Sequence, residues 1–375
     1  MEAHSKCKEE TGMKKDNRKQ SKEKAKRART VTIGMDLGDK TSRYCVLEED
    51  RVIQESSVAT TQPGMRQAFG KMRRCRIALE VGTHSPWVSR LLASLGHEVI
   101  VANPRQLKLI THSSRKNDKV DAKTLARLAR IDPELLRPIR HRSEKAQMDL
   151  MKIRVRAALV ETRTGLVNTL RGLAKSVGER VAPCDPDSLD AVRLEALPEA
   201  LRETLRPVVQ QIELLTEQIQ EQDRKLEQIA RVEYPNTALL KQVYGVGTLI
   251  ALTFVLTVED PQRFRKSRDV GCYVGLRPKR SQSGESDPQL PISKEGDAYL
   301  RKLLVQGAHR VLFRSSPDTD LKRWGERLAS RGGKNAKKRA IVAVARKLAV
   351  LLHRLWVSGE VYRPVGYGQA RAMAA

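Results

Sequence analysis

Aromatic residues are scarce in this sequence, and its cysteines never occur in pairs. Phe, Trp and Tyr make up 4% of the 375 residues, which disfavours the stacking of side chains on bases as the main mode of nucleic-acid binding. The five cysteines form no C-x-x-C motif, so neither a zinc site nor a disulfide framework is expected. Isolated cysteines of this kind suit a reducing cytosol.

Long apolar runs are also missing. No stretch approaches the ~18 consecutive apolar residues of a membrane span. The basic residues near the N-terminus are not followed by the apolar core of a secretory signal. We therefore expect neither a membrane span nor a membrane partner.

Acidic residues are too few to balance the basic ones. The chain has 71 Lys and Arg against 44 Asp and Glu, a net charge of +27 and a pI near 10.2. The excess recurs along the whole chain, which favours nucleic acid as the partner, because Lys and Arg gain affinity by releasing phosphate counterions. A solvated basic surface and anionic lipid are the alternatives. Residues 1–29 are predicted to be a disordered basic arm.

Residues 30–142 alternate between predicted strands and helices. Strands are predicted at 31–35, 43–47, 51–57, 76–80 and 98–102. Helices are predicted at 63–73, 86–95 and 121–130. Three early strands followed by a strand–helix–strand unit indicate an α/β domain with a mixed sheet.

Residues 143–232 are predicted to form a helical coiled-coil region from two stretches, 143–176 and 188–232. In the second stretch apolar residues recur in steps of three and four, with Gln222 in the one polar slot: Leu205, Val208, Ile212, Leu215, Ile219, Leu226 and Ile229. This seam predicts an antiparallel helical hairpin or a dimerising coiled coil. An intramolecular spacer is the alternative. We favour self-association, because an exposed apolar seam must be buried somewhere.

Residues 233–365 are predicted to form a mostly α-helical domain, followed by a loose tail at 366–375. Residues 243–252 have the form of a helix-hairpin-helix, in which two glycines allow a tight turn that presents N–H groups to a phosphate. A plain turn between helices is the alternative. Residues 331–354 contain eight Lys and Arg and no acid. Their amphipathic spacing predicts a helix with a core-facing side and a polyanion-facing side, and a membrane-surface helix is the rival.

Four carboxylates in the first third of the chain form a candidate metal site. Asp36 and Glu80 end two predicted strands, and Asp118 and Asp121 share a face at the start of a predicted helix. Four acids in one place need a cation to offset their repulsion. Mg²⁺ fits best, as two ions suited to in-line displacement at phosphate, with Mn²⁺ also possible. Taken singly, each acid is better explained by structure, Asp118 as a helix cap and Glu80 as a turn residue, and it is their ordered combination that favours a metal site.

Basic residues accompany two loops. Arg115 and Lys116 precede the acids at 118 and 121, which suits a loop that follows a nucleic-acid backbone. A second basic loop contains Ser281 and Ser283, and its cations would surround an attacked phosphate: Arg277, Lys279, Arg280, Lys294 and Arg301. From the residues alone, a serine in such a loop is more often a turn residue than a nucleophile, and Ser293 is expected to cap the following segment.

The motifs resemble a known family. "GMDLGDKTS", "ALEVGTHS" and "NDKVDAKTLARLAR" resemble the RuvC-like branch of the RNase H fold, and more particularly the DEDD transposases of the insertion-sequence one-ten family. "GVGTLIA", "RFRKSRDVGCYVGLRPKRSQSG", "ISKEGDAYLRKLLVQGA" and "AIVAVARKLAVLLHRLWVSGEVY" resemble that family's C-terminal transposase domain in unbroken order. The resemblance covers roughly residues 30–365.

The resemblance implies a fold, a reaction and partners. It implies an α/β RNase H/RuvC-like N-terminal domain, a coiled-coil middle and a mostly α C-terminal transposase domain. It also implies Asp36, Glu80, Asp118 and Asp121 as a metal-binding tetrad and a catalytic serine, for which we choose Ser283 over Ser281. The enzyme would be a prokaryotic, nucleoid-associated recombinase that exchanges strands between donor and target double-stranded DNA.

The same resemblance implies guidance by a structured non-coding bridge RNA. We further expect a dimer or tetramer in which the tetrad and the serine form a composite site. Two rival functions remain open at this point. One is a metal-only RuvC-like nuclease or junction resolvase with water as the nucleophile. The other is a non-enzymatic nucleic-acid-binding protein.

Overall fold

A computed structural model of the chain describes residues 31–103, 118–288 and 290–364, of which residues 118–120 are described by their backbone alone. The predicted basic arm at 1–29, Arg115, Lys116 and the tail at 366–375 lie outside the described residues. The chain divides into two units, with the boundary between His141 and Arg142.

The first unit contains a mixed five-stranded sheet in the order β3-β2-β1-β4-β5. β1 pairs with β2 and β2 with β3 in antiparallel fashion, whereas β1–β4 and β4–β5 are parallel. This confirms the expected mixed sheet. The strands are β1 (Thr32–Asp36), β2 (Thr41–Glu48), β3 (Arg51–Ala59), β4 (Arg76–Glu80) and β5 (Glu98–Ala102). The helices are α1 (Gln62–Phe69), α2 (Ser85–Ser94) and α3 (Asp118–Ile131).

Helices cover both faces of the sheet. Alternate residues of a strand point to opposite faces, so Ile33 and Met35 of β1 pack with the buried side chains of α1 and α2. On the other face, Ala78 of β4 packs with Leu125 and Ala129 of α3. β1 and β4 are therefore buried on both sides, which explains why each is a short apolar run in the sequence.

Gly34 brings α3 into contact with β1. A Cβ atom at Gly34 would lie 2.0 Å from the carbonyl oxygen of Ala122 and 2.4 Å from the backbone nitrogen of Ala126. Both neighbours are backbone atoms of a helix, so they cannot move aside as a flexible side chain would. Only glycine at position 34 permits this approach, and the approach fixes the start of α3 above β1.

The second unit is helical. It begins with two long helices, α4 (Glu144–Ser176) and α5 (Glu199–Val232), and continues with α6 (Asn236–Leu240), α7 (Thr248–Val258), α8 (Arg268–Tyr273), α9 (Ala298–Val311), α10 (Asp320–Ala329) and α11 (Ala336–Ser358). α7 is apolar along most of its length and is buried among α9, α11 and the ends of α4 and α5. No helix in the described parts of the chain is long and apolar enough to cross a membrane.

α4 and α5 form an antiparallel pair. Arg163 in the middle of α4 donates to Thr216 Oγ1 of α5 at 3.1 Å. Arg156, about two turns earlier in α4, donates at 3.0 Å to Asp223, which lies later in α5. The order reverses between the two helices, as an antiparallel hairpin requires.

The predicted seam of α5 is covered within the chain. Leu205, Val209 and Ile212 pack against α4, and Leu226 packs against α4 and α7. The buried positions shift by one residue from the predicted set in places, with Val209 more deeply buried than Val208. Because this seam already has an intramolecular partner, it gives no support to self-association, and the coiled-coil dimer stays a prediction.

The helix predicted over 188–232 starts later than expected. Residues 188–198 contain the 3-10 turn Ala191–Leu194, and α5 begins after Pro198. Leu189, Leu194 and Leu197 are buried against the α4–α5 pair. A chain that must fold back to place three leucines on the hairpin cannot continue as a straight helix, and this explains the difference.

The turn at 241–247 joins α6 to α7. Gly245 has a φ of +87°, and a Cβ atom there would lie 2.8 Å from the carbonyl oxygen of Gly307 in α9. Gly245 is therefore required both for the turn and for close packing on α9. These facts explain its glycine without any phosphate, so the helix-hairpin-helix function of this segment stays a prediction.

A buried carboxylate ties α4 to the end of α5. Asp149 accepts hydrogen bonds from Lys152 at 2.7 Å, from Tyr234 Oη at 2.7 Å and from Lys145 at 3.1 Å. Burial alone would raise the pKa of Asp149, but these three donors outweigh burial and hold its pKa below the usual value. The ionised form is therefore stabilised in the folded chain.

We predict that Gly34→Ala will destabilise the first unit by about 3 kcal/mol, because the added methyl group overlaps the backbone of α3. Urea unfolding followed by circular dichroism measures the change. The matched control is Gly82→Ala in the same unit, since a Cβ atom there meets no atom within 4 Å. Equal stability of the two variants would contradict the role given to Gly34.

We predict that Asp149→Asn will lower stability by about 1–2 kcal/mol at neutral pH, because three donors lose an ionised acceptor. The folded-state pKa is depressed, so the stabilisation is complete above the unfolded pKa and disappears as pH falls through the folded pKa. Denaturant unfolding should thus show wild type and variant converging in acid. Glu221→Gln, at an exposed Lys225 pair, is the control and should change stability much less than Asp149→Asn at neutral pH, because solvent screens an exposed ion pair.

Candidate active site and nucleic-acid interface

Asp36 and Glu80 lie side by side at one edge of the sheet. They end the adjacent parallel strands β1 and β4, and the preceding residues Met35 and Leu79 are paired in register. Gly34 and Ala78, two positions earlier, face α3. Because side chains alternate along a strand, Asp36 and Glu80 stand on the α3 face as well.

The N-terminal end of α3 reaches the same edge. Ala122, in its first turns, lies against Gly34, whereas Ala129 near its end accepts a hydrogen bond of 3.1 Å from Arg76, the first residue of β4. α3 therefore runs antiparallel to β1 and β4, with its start at their carboxyl ends. Asp121 is buried there, with 9% of its surface exposed.

Three predicted site residues are thus brought to one edge and one face, here called the carboxylate edge (Asp36, Glu80 and Asp121). Carboxylate oxygens are the donors that hard divalent ions prefer, so the chemistry of the set fits Mg²⁺. Among the side chains that the structure describes, no three His, Cys, Asp or Glu are close enough together to hold an ion. The side chain of Asp118 is not among those that the structure describes, so the four-residue metal site stays a prediction.

The structure adds residues that the sequence did not single out. Asp39 and His84, which follow the carboxyl ends of β1 and β4, approach to 3.5 Å, and Trp87 donates to His84 Nδ1 at 3.1 Å. Arg43 lies directly opposite Asp36 in the β1–β2 ladder. The signal that points to Asp39 and His84 is their position, since both sit in loops that leave the same sheet edge.

Ser283 lies at the tip of a small β-hairpin, here called the serine hairpin (residues 277–288 and 290–293). Ser283 and Ser286 exchange backbone hydrogen bonds of 3.1 and 3.0 Å, and Gly284 between them has a φ of +56°. At the base of the hairpin, Pro278 pairs with Ile292. The Ser283 side chain is exposed, so it is accessible to a large substrate.

Two glycines hold the base of the serine hairpin. A Cβ atom at Gly275 would lie 2.0 Å from the carbonyl oxygen of Glu295, and one at Gly296 would lie 1.9 Å from that of Tyr273. Arg301 of α9 donates to the carbonyl oxygens of Val274 at 3.0 Å and Glu295 at 2.9 Å. The two ends of the hairpin are therefore joined backbone to backbone and fastened by one guanidinium group.

The predicted basic residues divide into two groups. Arg277, Lys279, Arg280 and Lys294 are exposed on or beside the serine hairpin. Arg280 also donates to Gln282 at 2.6 Å and lies 3.4 Å from Asp287. Arg301 is engaged with backbone carbonyls, so its first role is to support the hairpin, and its contact with nucleic acid stays a prediction.

Ser281 and Ser293 differ in their surroundings. Ser281 is exposed on the same hairpin as Ser283. Ser293 Oγ accepts from the backbone nitrogen of Glu295 at 3.4 Å, in keeping with a local structural role. The N-cap of α9 is Asp297, which accepts from Leu300 at 2.8 Å and is bound by Arg154 of α4 at 2.7 Å.

The chain combines an α/β unit that has acids at the carboxyl ends of parallel strands with a helical unit that carries an exposed basic hairpin. Two family models match the chain. A transposase family of the DEDD type from the IS110 group matches residues 33–178, and the transposase IS116/IS110/IS902 family matches residues 237–325.

Curated relatives agree with these matches. The transposase for insertion sequence element IS1111A of Coxiella burnetii is 29% identical over 341 residues, which are 88% of this chain and 91% of that protein. A Pseudomonas aeruginosa protein named as a family 20 transposase is 28% identical over 88% of this chain and 98% of its own length. A Sinorhizobium fredii protein named as a transposase, y4pF/y4sB, is 31% identical over 82% of this chain and 79% of its own length.

The chain belongs to the IS116/IS110/IS902 family of transposases. It is a DNA transposase of a mobile element, and DNA is its substrate.

We predict that Arg301→Ala will loosen the serine hairpin, because two carbonyl oxygens at its base lose their common donor. Trypsin should then cleave after Lys279 and Arg280 several-fold faster than in wild type, as a less ordered loop opens more often. Lys302→Ala removes the same charge from the next residue of α9, which is exposed, and should leave the cleavage rate unchanged. Equal rates for both variants would show that Arg301 does not hold the hairpin.

Proposed function

We propose that this transposase exchanges DNA strands through a covalent serine intermediate, with a divalent metal ion held by Asp36, Glu80, Asp118 and Asp121. The observation that carries the proposal is the carboxylate edge, where acids from two strands and one helix reach one face. When bound, a Mg²⁺ ion supplies polarisation of the phosphate oxygens and offsets their developing charge. One or two ions suit this donor set, and Mn²⁺ has the same ligand preference.

In the proposed reaction Ser283 Oγ attacks a phosphorus atom of the DNA backbone. The new bond is Oγ–P, the bond that breaks is P–O3′, and the released O3′ takes up a proton to become a hydroxyl group. That 3′-hydroxyl then attacks the phosphoserine linkage of the partner strand and frees the serine. One phosphodiester is exchanged for another, so the bond energy is conserved and no nucleoside triphosphate is needed.

Exposed cations on the serine hairpin support this role. Arg277, Lys279, Arg280 and Lys294 are available to neutralise the charge of an attacked phosphate. A hairpin whose base is fixed by Gly275, Gly296 and Arg301 presents its tip in a defined orientation, which favours attack by lowering the cost of positioning. Ser281 on the same hairpin is the alternative nucleophile.

Partners beyond DNA belong to the same proposal. The net charge of +27 and the 4% aromatic content suit a protein that binds nucleic-acid backbone and shape. We therefore propose that a structured non-coding bridge RNA selects donor and target by base pairing. We further propose that a dimer or tetramer assembles on the DNA, since two strands must be cut and exchanged.

A metal-only nuclease of the junction-resolvase type is the second candidate. It is favoured by one observation, that the backbone bonds between Ser283 and Ser286 explain a serine at this turn without any chemistry. Water would then be the nucleophile. The two candidates differ in their products, since only the serine mechanism leaves protein joined to DNA.

We predict that Ser283→Ala will abolish a denaturant-resistant protein–DNA adduct and lower strand exchange by roughly 10³-fold or more, as loss of a nucleophile usually does. The assay uses a labelled duplex from the end of the element, the flanking non-coding RNA and Mg²⁺. Ser286→Ala is the matched control, because its bonds to Ser283 are made by backbone atoms, and it should keep the adduct. Asp36→Ala and Asp121→Ala should lose activity to a similar extent.

Each alternative gives a distinct result in this assay. An adduct in Ser283→Ala but not in Ser281→Ala would move the nucleophile to Ser281. Nicked DNA without any adduct in wild type would favour hydrolysis by water. Full activity of Asp36→Ala and Asp121→Ala in Mg²⁺ would overturn the role of the carboxylate edge.

A further inference from the structure

A large groove in the second unit has no role in the proposed reaction. It lies between α10 and α11 on one side and the base of the serine hairpin on the other, and Leu276, Pro278 and Ile292 form its hairpin wall. Its volume is about 1240 Å³, above the ~300–1,000 Å³ that is usual for small-molecule pockets. The groove is suited to an extended ligand.

The lining of the groove is strongly positive. Six cationic residues and no Asp or Glu are among the described residues that line it: Arg331, Lys334, Lys338, Arg339, Arg346 and Lys347. Arg331, Lys334 and Lys338 are exposed, and none of these three forms an ion pair with a carboxylate in the described part of the chain. Cations that the protein leaves unpaired along one groove favour a polyanion as its occupant.

The floor of the groove is apolar. The floor is the name used here for the half-buried apolar lining residues Leu328, Val342 and Trp324. The Lys347 ammonium group lies over the Trp324 ring, 4.4 Å from its centroid. A duplex presents phosphates and sugars outward and keeps its base faces stacked inside. An unpaired strand exposes base faces to apolar and aromatic side chains while its phosphates reach a cationic rim. The combination of floor and rim therefore favours an unpaired strand over a duplex.

We propose that this groove binds an unpaired polynucleotide strand, with phosphates on the cationic rim and bases against the floor around Trp324. Single-stranded DNA and single-stranded RNA share this chemistry. Pro278 and Ile292, which pair at the base of the serine hairpin, also line the groove, so a bound strand runs beside the element that carries Ser283. Its use in strand exchange rests on the proposed function, whereas the binding itself does not.

The test is binding of short labelled strands to the full chain in EDTA, measured by fluorescence anisotropy at several salt concentrations. The probes are an oligo-dT strand, an oligo-U strand and a blunt DNA duplex of equal length. One double variant, Lys338→Ala with Lys347→Ala, removes two groove cations. Its matched control, Lys337→Ala with Arg354→Ala, removes two exposed cations of the same helix that do not line the groove.

We expect the groove variant to bind single strands about tenfold more weakly, with the slope of log affinity against log salt reduced by about 1.4, for two lost phosphate contacts. The control should lose less than about twofold in affinity for the same strands, because diffuse charge is screened by salt. Affinity for the duplex should fall by the same small factor in both variants. The probe that binds more tightly shows whether the groove prefers the single-stranded DNA probe or the single-stranded RNA probe.

The apolar floor is tested separately. Trp324→Leu should weaken single-strand binding by roughly fivefold, and Trp324→Phe should restore most of it, because a ring keeps a stacking surface. Melting curves establish that both variants fold. Equal losses in the groove variant and its control would reduce the site to diffuse surface charge, and a larger loss for duplex would make it a duplex groove. Either result overturns the proposal. Neither result bears on the proposed role of Ser283 as the nucleophile, because the assay measures binding in EDTA, where no strand is cut.

Discussion

The backbone contact between Gly34 of β1 and the first turns of α3 is the constraint on which the first unit depends. Backbone atoms of Ala122 and Ala126 occupy the space that a side chain at position 34 would fill. This contact fixes how closely α3 packs on the sheet. This packing sends the N-terminal end of α3 to the carboxyl ends of β1 and β4 and its C-terminal end to Arg76. The placement of Asp121 at the same sheet edge as Asp36 and Glu80 therefore depends on the missing Cβ atom of Gly34.

The strands and the acids of the first unit were predictable from sequence because their signals are local. β4 and β5 have the predicted bounds, and Asp36 and Glu80 end β1 and β4 as expected. An apolar run between charged residues defines a buried strand, and a following acid falls at its end. The partnership of Asp39 with His84 was not predictable, because it joins two loops that only the sheet order brings together.

The α5 seam illustrates a limit of periodicity. Steps of three and four predict that one helix face is buried, and Leu205, Ile212, Ile219 and Leu226 are buried. The same steps do not say what buries them, since a neighbouring helix of the same chain and a second copy satisfy the seam equally well. Here α4 and α7 cover it. To predict which element covers the seam, one must know that residues 188–198 fold back onto the helical pair. That fold-back depends on Leu189, Leu194, Leu197 and Pro198, which lie outside the seam.

The net charge of a chain does not show which of its basic residues can contact nucleic acid. Several arginines already have partners inside the second unit. Arg154 binds a carboxylate, Arg163 donates to a hydroxyl group and Arg301 donates to backbone carbonyl oxygens. A guanidinium group suits this use, because its planar donors reach several acceptors at once. The groove cations and the cations of the serine hairpin are a different population, most of them exposed to solvent. Because attraction to phosphate weakens when a cation has an internal partner, we propose that these exposed positions, rather than the whole excess of +27, are where nucleic acid binds.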